Sequence, residues 1–172
     1  MMQILKKIYH QLDAWDSKLR RSFGRDIEST SGRFWARVHY HLFDHAFLRV
    51  FWTNYVEIAP GVFRSNQPTE ARLRKYHAQG LKSVLNLRGE DKYAHYKYEE
   101  RICNQLGMDL VNWKLNARNA PNATDINEVI NILGRLPKPL LFHCKSGADR
   151  AGLVSAIYLM EFEGKNVQEA QK

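Results

Sequence analysis

Between Tyr55 and Phe162 the chain alternates two hydrophobic rhythms. Short runs of adjacent apolar residues are separated by stretches in which apolar positions return every three or four residues. The first pattern predicts strands and the second amphipathic helices. Tyr55–Ile58 and Val62–Arg64 read as strands around a turn at Pro60 and Gly61. Thr69 caps a predicted helix that runs to about Gln79 and is ended by Gly80. Lys82–Leu87 is the next strand, apolar enough to be buried on both faces. A helix then covers about Tyr93–Leu106 and stops at Gly107, and Leu110–Trp113 is a further strand. Asn122 or Thr124 opens a helix reaching about Leu136, Leu140 opens the last strand, and Ala151–Phe162 is the last long helix. This order predicts an α/β fold: a central, mostly parallel sheet flanked by helices on both faces, with a site at the carboxyl ends of its strands.

Residues 1–54 carry only the helical rhythm and are set apart as an amphipathic, basic helical extension of a domain spanning 55–172. Ile4, Ile8, Leu12, Trp15 and Leu19 form one stripe, with Lys6, Lys7, Lys18 and Arg20 among the residues between them. Ser22–Gly32 interrupts the pattern. A second helical stretch follows, with Trp35, Val38, Leu42 and Ala46 as its stripe and Phe34, Phe43, Phe47 and Phe51 beside it. Docking on the rest of the chain, peripheral contact with an acidic membrane surface, and partner binding all fit such helices. Of His39, His41 and His45 only the last two share a helical face, and no Cys or carboxylate is spaced to complete a tetrahedral site, so no metal is expected. Asn166 begins a helix of barely two turns before the chain ends, which predicts either a truncated domain or an apolar face left for a partner.

Composition narrows the partners. With 44% hydrophobic residues over 172 positions the chain has enough apolar surface for a core. A net charge of +8 favours anionic partners: phosphorylated substrates, acidic lipid, or nucleic acid. No nucleic-acid recognition motif is present, so nucleic acid is not expected. Two cysteines, Cys103 and Cys144, do not make a disulfide scaffold, and a reducing, cytoplasmic setting suits them. Cys103, on a predicted helix, reads as a small buried residue, although a reversible bridge to Cys144 is conceivable. No stretch approaches the roughly 18 uninterrupted apolar residues of a membrane span, and no signal peptide is apparent.

The densest chemistry lies in Leu140–Gly152. An apolar strand delivers Cys144, then Lys145, Ser146, Gly147, Ala148 and Asp149 lead to Arg150 at the mouth of a helix. Main-chain amides of a tight loop, joined to a helix N-terminus, make a cradle for an anion. The same field favours a thiolate, and Arg150 offers a planar two-pronged donor for two phosphate oxygens. His143–Gly152, read HCKSGADRAG, resembles the signature loop of the cysteine-dependent protein tyrosine and dual-specificity phosphatases. The resemblance extends over about residues 58–163. Phe63–Pro68 and Val84–Arg88 are similar to stretches of a bacterial branch of the dual-specificity-like enzymes. Both end strands on the side expected for the phosphate loop, so Arg64 and Arg88 are candidates for its pocket, with ordinary surface arginines as the alternative.

The resemblance implies a chemistry that needs neither metal nor cofactor. Cys144 attacks phosphorus, Arg150 and the amides of Lys145–Ala148 hold the oxygens, a general acid protonates the leaving group, and water releases phosphate. His143 is expected to set the loop by hydrogen bonding. Two residues depart from the family pattern. Most relatives carry an Asp acid on a loop that here reads Lys114–Pro121 and holds no carboxylate. Asp149 is the expected substitute, as in myotubularin-type lipid phosphatases, with Glu90, Asp91 and Asp125 as alternatives. Ala151 stands where Ser or Thr is usual, which predicts slow breakdown of the phospho-enzyme. Protein tyrosine or dual-specificity phosphatase is the first expectation. A phosphoinositide or other lipid phosphatase is the second, and a pseudophosphatase that only binds phosphorylated groups is the third.

Overall fold

The computed structural model describes residues 26–43, 48–117 and 119–171. The predicted helix through Ile4–Leu19, and His45, Ala46 and Phe47, lie outside them. The chain divides into two compact units, one being the part ahead of Leu48 together with Lys92–Lys97, the other Leu48–Asp91 with Tyr98–Lys172.

In the first unit, α1 spans Thr30–Val38 and runs into a π-helical turn at His39–Phe43. The expected break through Gly32 is corrected: the helix begins earlier because its N-terminus is capped from within that segment. Ser29 Oγ accepts from Gly32 N at 3.0 Å, and the Asp26 carboxylate accepts the amides of Glu28 and Ser29 at 2.8 and 3.2 Å. Gly32 leaves room for that carboxylate, since a β-carbon there would lie 2.2 Å from Asp26 Oδ2. The expected stripe is also corrected. Trp35 is 52% exposed, while Ala36, His39 and Tyr40 are buried. Ala36, His39 and Tyr40 recur at i, i+3 and i+4, so the packed face lies one position beyond the stripe drawn through Trp35. His39 stacks flat on Tyr93, with ring centroids 5.0 Å apart.

The second unit opens with a short helix, α2, at Leu48–Phe51 and is organised by five strands. β1 is Val56–Ala59, β2 Val62–Asn66, β3 Ser83–Asn86, β4 Asp109–Asn112 and β5 Leu140–Cys144. Their order in the sheet is β1-β2-β5-β3-β4; β1 is antiparallel to β2 and the remaining pairs are parallel. The connecting helices are α3 (Glu70–Ala78), α4 (Ala94–Leu106, whose start lies in the first unit), α5 (Ala123–Arg135), α6 (Asp149–Phe162) and the short α7 (Val167–Ala170). Thr69 caps α3 and Asn122 caps α5, as their side chains accept from the amides of Arg72 and Asp125. No helix among the described residues is long and apolar enough to cross a membrane.

Strand alternation assigns each residue a side. Val62, Leu85, Leu140, Phe142 and Cys144 face α5 and α6, where they meet Val129, Ile132, Leu133, Val154 and Tyr158. Val84 and Leu141 face the other way, onto Leu73, Tyr76, Ile102 and Cys103 of α3 and α4. Most of these side chains are almost fully buried, and each large aliphatic one contributes about 1.5–3 kcal/mol relative to exposure. The central strand β5 therefore ends between the carboxyl ends of β2 and β3, with Cys144 opposite Asn66 and His143 opposite Asn86.

Candidate active site

Cys144 is the last residue of β5, and the chain turns through Lys145–Ala148 into α6, which starts with Asp149 and Arg150. Gly147 permits the turn. It has φ +76°, and a β-carbon there would lie 2.5 Å from Asn66 N and 2.6 Å from the Ser65 carbonyl carbon. Only a residue without a side chain fits that backbone so close to β2. The Gly147 amide thereby donates to Cys144 Sγ at 3.2 Å. The loop is braced from outside by Asn54, whose Nδ2 donates to Ser146 O at 2.8 Å, and by Gln67 N, which donates to Lys145 O at 3.4 Å. The Trp52 indole N–H in turn donates to Asn54 Oδ1 at 2.6 Å. Within the loop the Ala148 amide donates to Ser146 Oγ at 3.4 Å.

Arg150 Nη1 donates to the carbonyls of Leu87 and Leu115 at 3.2 and 3.3 Å, just beyond β3 and β4. Both hydrogens of that nitrogen are engaged, which fixes the guanidinium plane and turns its Nε–Nη2 edge into a fork suited to an oxyanion. Burial lowers the proton affinity of Arg150. The charge of Cys144 opposes this most, Arg88 adds to the lowering, and Asp149 opposes it. Cys144, Arg88 and Asp149 are thus each close enough to act on Arg150. Arg88 is anchored as well, its Nη1 donating to Gln67 Oε1.

His143 lies on the opposite side of β5 from Cys144 and is fully buried. Its Nε2 is 2.6 Å from Oε1 of Glu99 on α4, a close polar contact whose geometry is not that of a hydrogen bond. The other Glu99 oxygen accepts from Gln67 Nε2 at 3.1 Å. Neither Glu99 nor Gln67 was expected from the sequence. One signal existed: Glu99 sits three and four residues ahead of Ile102 and Cys103, a carboxylate on the apolar stripe of α4.

Arg64 lies on β2. Its strand position sends it to the same side as Val62. There it lines a cleft of about 540 Å³ with Val56 and Ile58 of β1 and Gly152, Ser155 and Leu159 of α6. Its Nε is buried there without a hydrogen-bond partner. Asp125 sits in the first turn of α5, below its Asn122 cap, while Glu90 and Asp91 follow the β3 end. Cys103 and Cys144 are both free thiols, and they belong to cores on opposite faces of the sheet, so no bridge joins them. Burial, and secondarily Glu99, pushes the Cys103 thiol up to about 12.

Comparison with known proteins agrees with this geometry. The family model described as DSP-PTPase phosphatase fused to NAD+ kinase matches residues 53–172. No curated protein matches the chain. Among solved structures, Tk-PTP in the active form is similar with a TM-score of 0.59 at 25% identity, covering 70% of this chain and 81% of that one. P. aeruginosa TpbA, in a variant complexed with pTyr, gives 0.55 at 21% identity over 69% and 74%. The core catalytic domain of the PP-IP phosphatase SIW14 from S. cerevisiae, in complex with citrate, gives 0.58 at 22% over 68% and 70%. The last two likenesses show the shared fold alone. With a strand-to-helix loop that gathers Cys144, the Gly147 amide and Arg150, and a family match over residues 53–172, the chain belongs to the DSP-PTPase phosphatases of the NAD+ kinase-fused family.

Proposed function

We propose that this phosphatase is a cysteine-dependent phosphomonoester hydrolase acting on protein phosphotyrosine. One observation carries the mechanism: Cys144 Sγ receives the Gly147 amide at the foot of a loop whose next helix presents Arg150. In the first step a sulfur lone pair forms the S–P bond as the P–O bond to the substrate oxygen breaks. The loop amides and the Nε–Nη2 edge of Arg150 take the equatorial oxygens. Asp149, exposed at the first position of α6, supplies the proton that the leaving oxygen needs. In the second step water attacks phosphorus, the S–P bond breaks, sulfur leaves as thiolate, and the water proton returns to Asp149. Inorganic phosphate is released.

The pTyr complex of the structurally similar TpbA supports an aryl phosphate substrate. The net charge of +8, and the basic helices expected in residues 1–54 beside a catalytic domain at 55–172, favour the second reading, a phosphoinositide at a membrane surface. A panel of phosphotyrosine peptides and phosphoinositide vesicles, with Cys144→Ser as the blank, decides between them. Faster turnover of the peptides supports the first reading, and faster turnover of the vesicles replaces it with the second. Vanadate-insensitive hydrolysis, or none, would reject both. Asp149→Asn should slow alkyl phosphates about 10²–10⁴-fold while sparing substrates whose leaving group needs no proton. Equal loss on both would remove Asp149 from the acid role.

A further inference from the structure

We infer that Glu99 is a positioning residue of the phosphate site: its carboxylate is the central link of a buried polar chain with His143 at one end and Arg88 at the other. This rests on the phosphatase reading. The argument begins at Arg88, which can only donate. Its Nη1 meets the side-chain oxygen of Gln67, so the Gln67 amide nitrogen must point away from it. That nitrogen reaches Glu99 Oε2 at 3.1 Å. The remaining oxygen, Oε1, is in close polar contact with His143 Nε2 at 2.6 Å. Glu99 therefore accepts from Gln67 with one oxygen and abuts His143 with the other, so a single carboxylate links the two.

The chain crosses the sheet side that the catalytic cysteine does not use. His143 directly precedes Cys144, and its Nδ1 lies 3.4 Å from the Cys144 carbonyl. Locking the ring from α4 fixes the strand end from which the phosphate loop departs. Arg88, at the other end, sits where its charge acts on Arg150. One carboxylate, 1% exposed and contributed by a helix outside the loop, thus orients a residue on each side of the anion site. Stability alone does not account for it. A buried carboxylate is costly, and the adjoining positions of α4 are filled by Ile102 and Cys103.

The test uses binding of tungstate, an unreactive phosphate mimic, so that it does not depend on turnover. Glu99→Met keeps the side-chain length but removes the acceptor of Gln67 and the polar neighbour of His143. It should weaken tungstate binding about 10- to 100-fold. The double exchange Glu99→Gln with Gln67→Glu rebuilds the chain with its charge moved by one link. The amide now at position 99 presents its oxygen to His143 and donates its N–H to the carboxylate now at position 67, which also accepts from Arg88. The double variant should bind within about threefold of wild type, a recovery that a merely space-filling role would not give. Glu99→Met within twofold of wild type, or a folded double exchange no tighter than Glu99→Met, would overturn the inference. If Glu99→Met does not fold, the double exchange decides alone, and its own failure to fold also counts against the chain. Wild type that binds no tungstate would instead defeat the oxyanion site itself.

Discussion

Gly147→Ala tests the geometry on which the active-site reading stands. Two costs add at this position. Alanine in the left-handed backbone of Gly147 costs about 1–2 kcal/mol. Its β-carbon would also lie 2.5 Å from Asn66 N, 2.6 Å from the Ser65 carbonyl carbon and 2.8 Å from Asn54 Cβ. The first two are main-chain atoms of β2, so no change of rotamer relieves them, and overpacking of this kind costs about 1–3 kcal/mol. The sum is roughly 2–5 kcal/mol. The protein can absorb it by losing global stability, which for a chain of this size means a fall in Tm of about 2–4 °C per kcal/mol. Alternatively the loop withdraws from β2, and then the Gly147 amide leaves Cys144 Sγ and oxyanion affinity drops. A loss of 2 kcal/mol taken wholly in binding is about 30-fold. Differential scanning calorimetry and tungstate titration, run on the same preparation, account for both routes. Gly134→Ala is the matched control, because its β-carbon would meet only the Phe162 ring at 3.6 Å within a regular helix. A Gly147→Ala protein with Tm within 2 °C and tungstate affinity within threefold of wild type would refute the reasoning.

Further outcomes follow from the same structure. Gly134→Ala itself should raise stability by about 0.5–1 kcal/mol, read as a higher urea midpoint with unchanged slope. Arg150→Lys keeps the charge but loses the fork, so kcat/KM on an aryl phosphate should fall at least about tenfold; near-wild-type activity would show that the guanidinium plane is irrelevant. Cys103, pushed up to about 12 by burial, stays a neutral thiol in the native protein at pH 8. Iodoacetate should therefore label one cysteine natively and two in urea, as counted by mass spectrometry. The sign for stability follows as well. Once the pH exceeds about 9 the unfolded thiol ionises while the folded one does not, so stability declines with further alkali. Cys103→Ala should remove that part of the slope.

Much of the catalytic unit was legible because its signals are local. Alternating rhythms marked every strand and helix from β1 to α6, usually to within a residue or two of the observed ends. Thr69 and Asn166 identified themselves as helix starts by residue type and position, whereas the structure chose Asn122 over Thr124. The loop from Cys144 to Arg150 was readable because a thiol, an arginine and the small residues between them lie within seven consecutive positions. The stripe through Trp35 failed because residue size misled: the small Ala36, not the large Trp35, is on the packed face with His39 and Tyr40.

Tertiary structure alone decided what meets across the sheet. That β5 lies between β2 and β3, that Cys103 and Cys144 occupy opposite cores, and that Arg64 turns into a cleft beside α6 all follow from strand order and from which face each helix covers. Glu99 reached His143 in the same way, through the docking of α4 on the side of β5 opposite Cys144. Periodicity records which residues of one segment share a side, because that depends on a backbone repeat only a few residues long. It does not record which side of another segment they will touch, because that contact is chosen by packing among elements far apart in the chain.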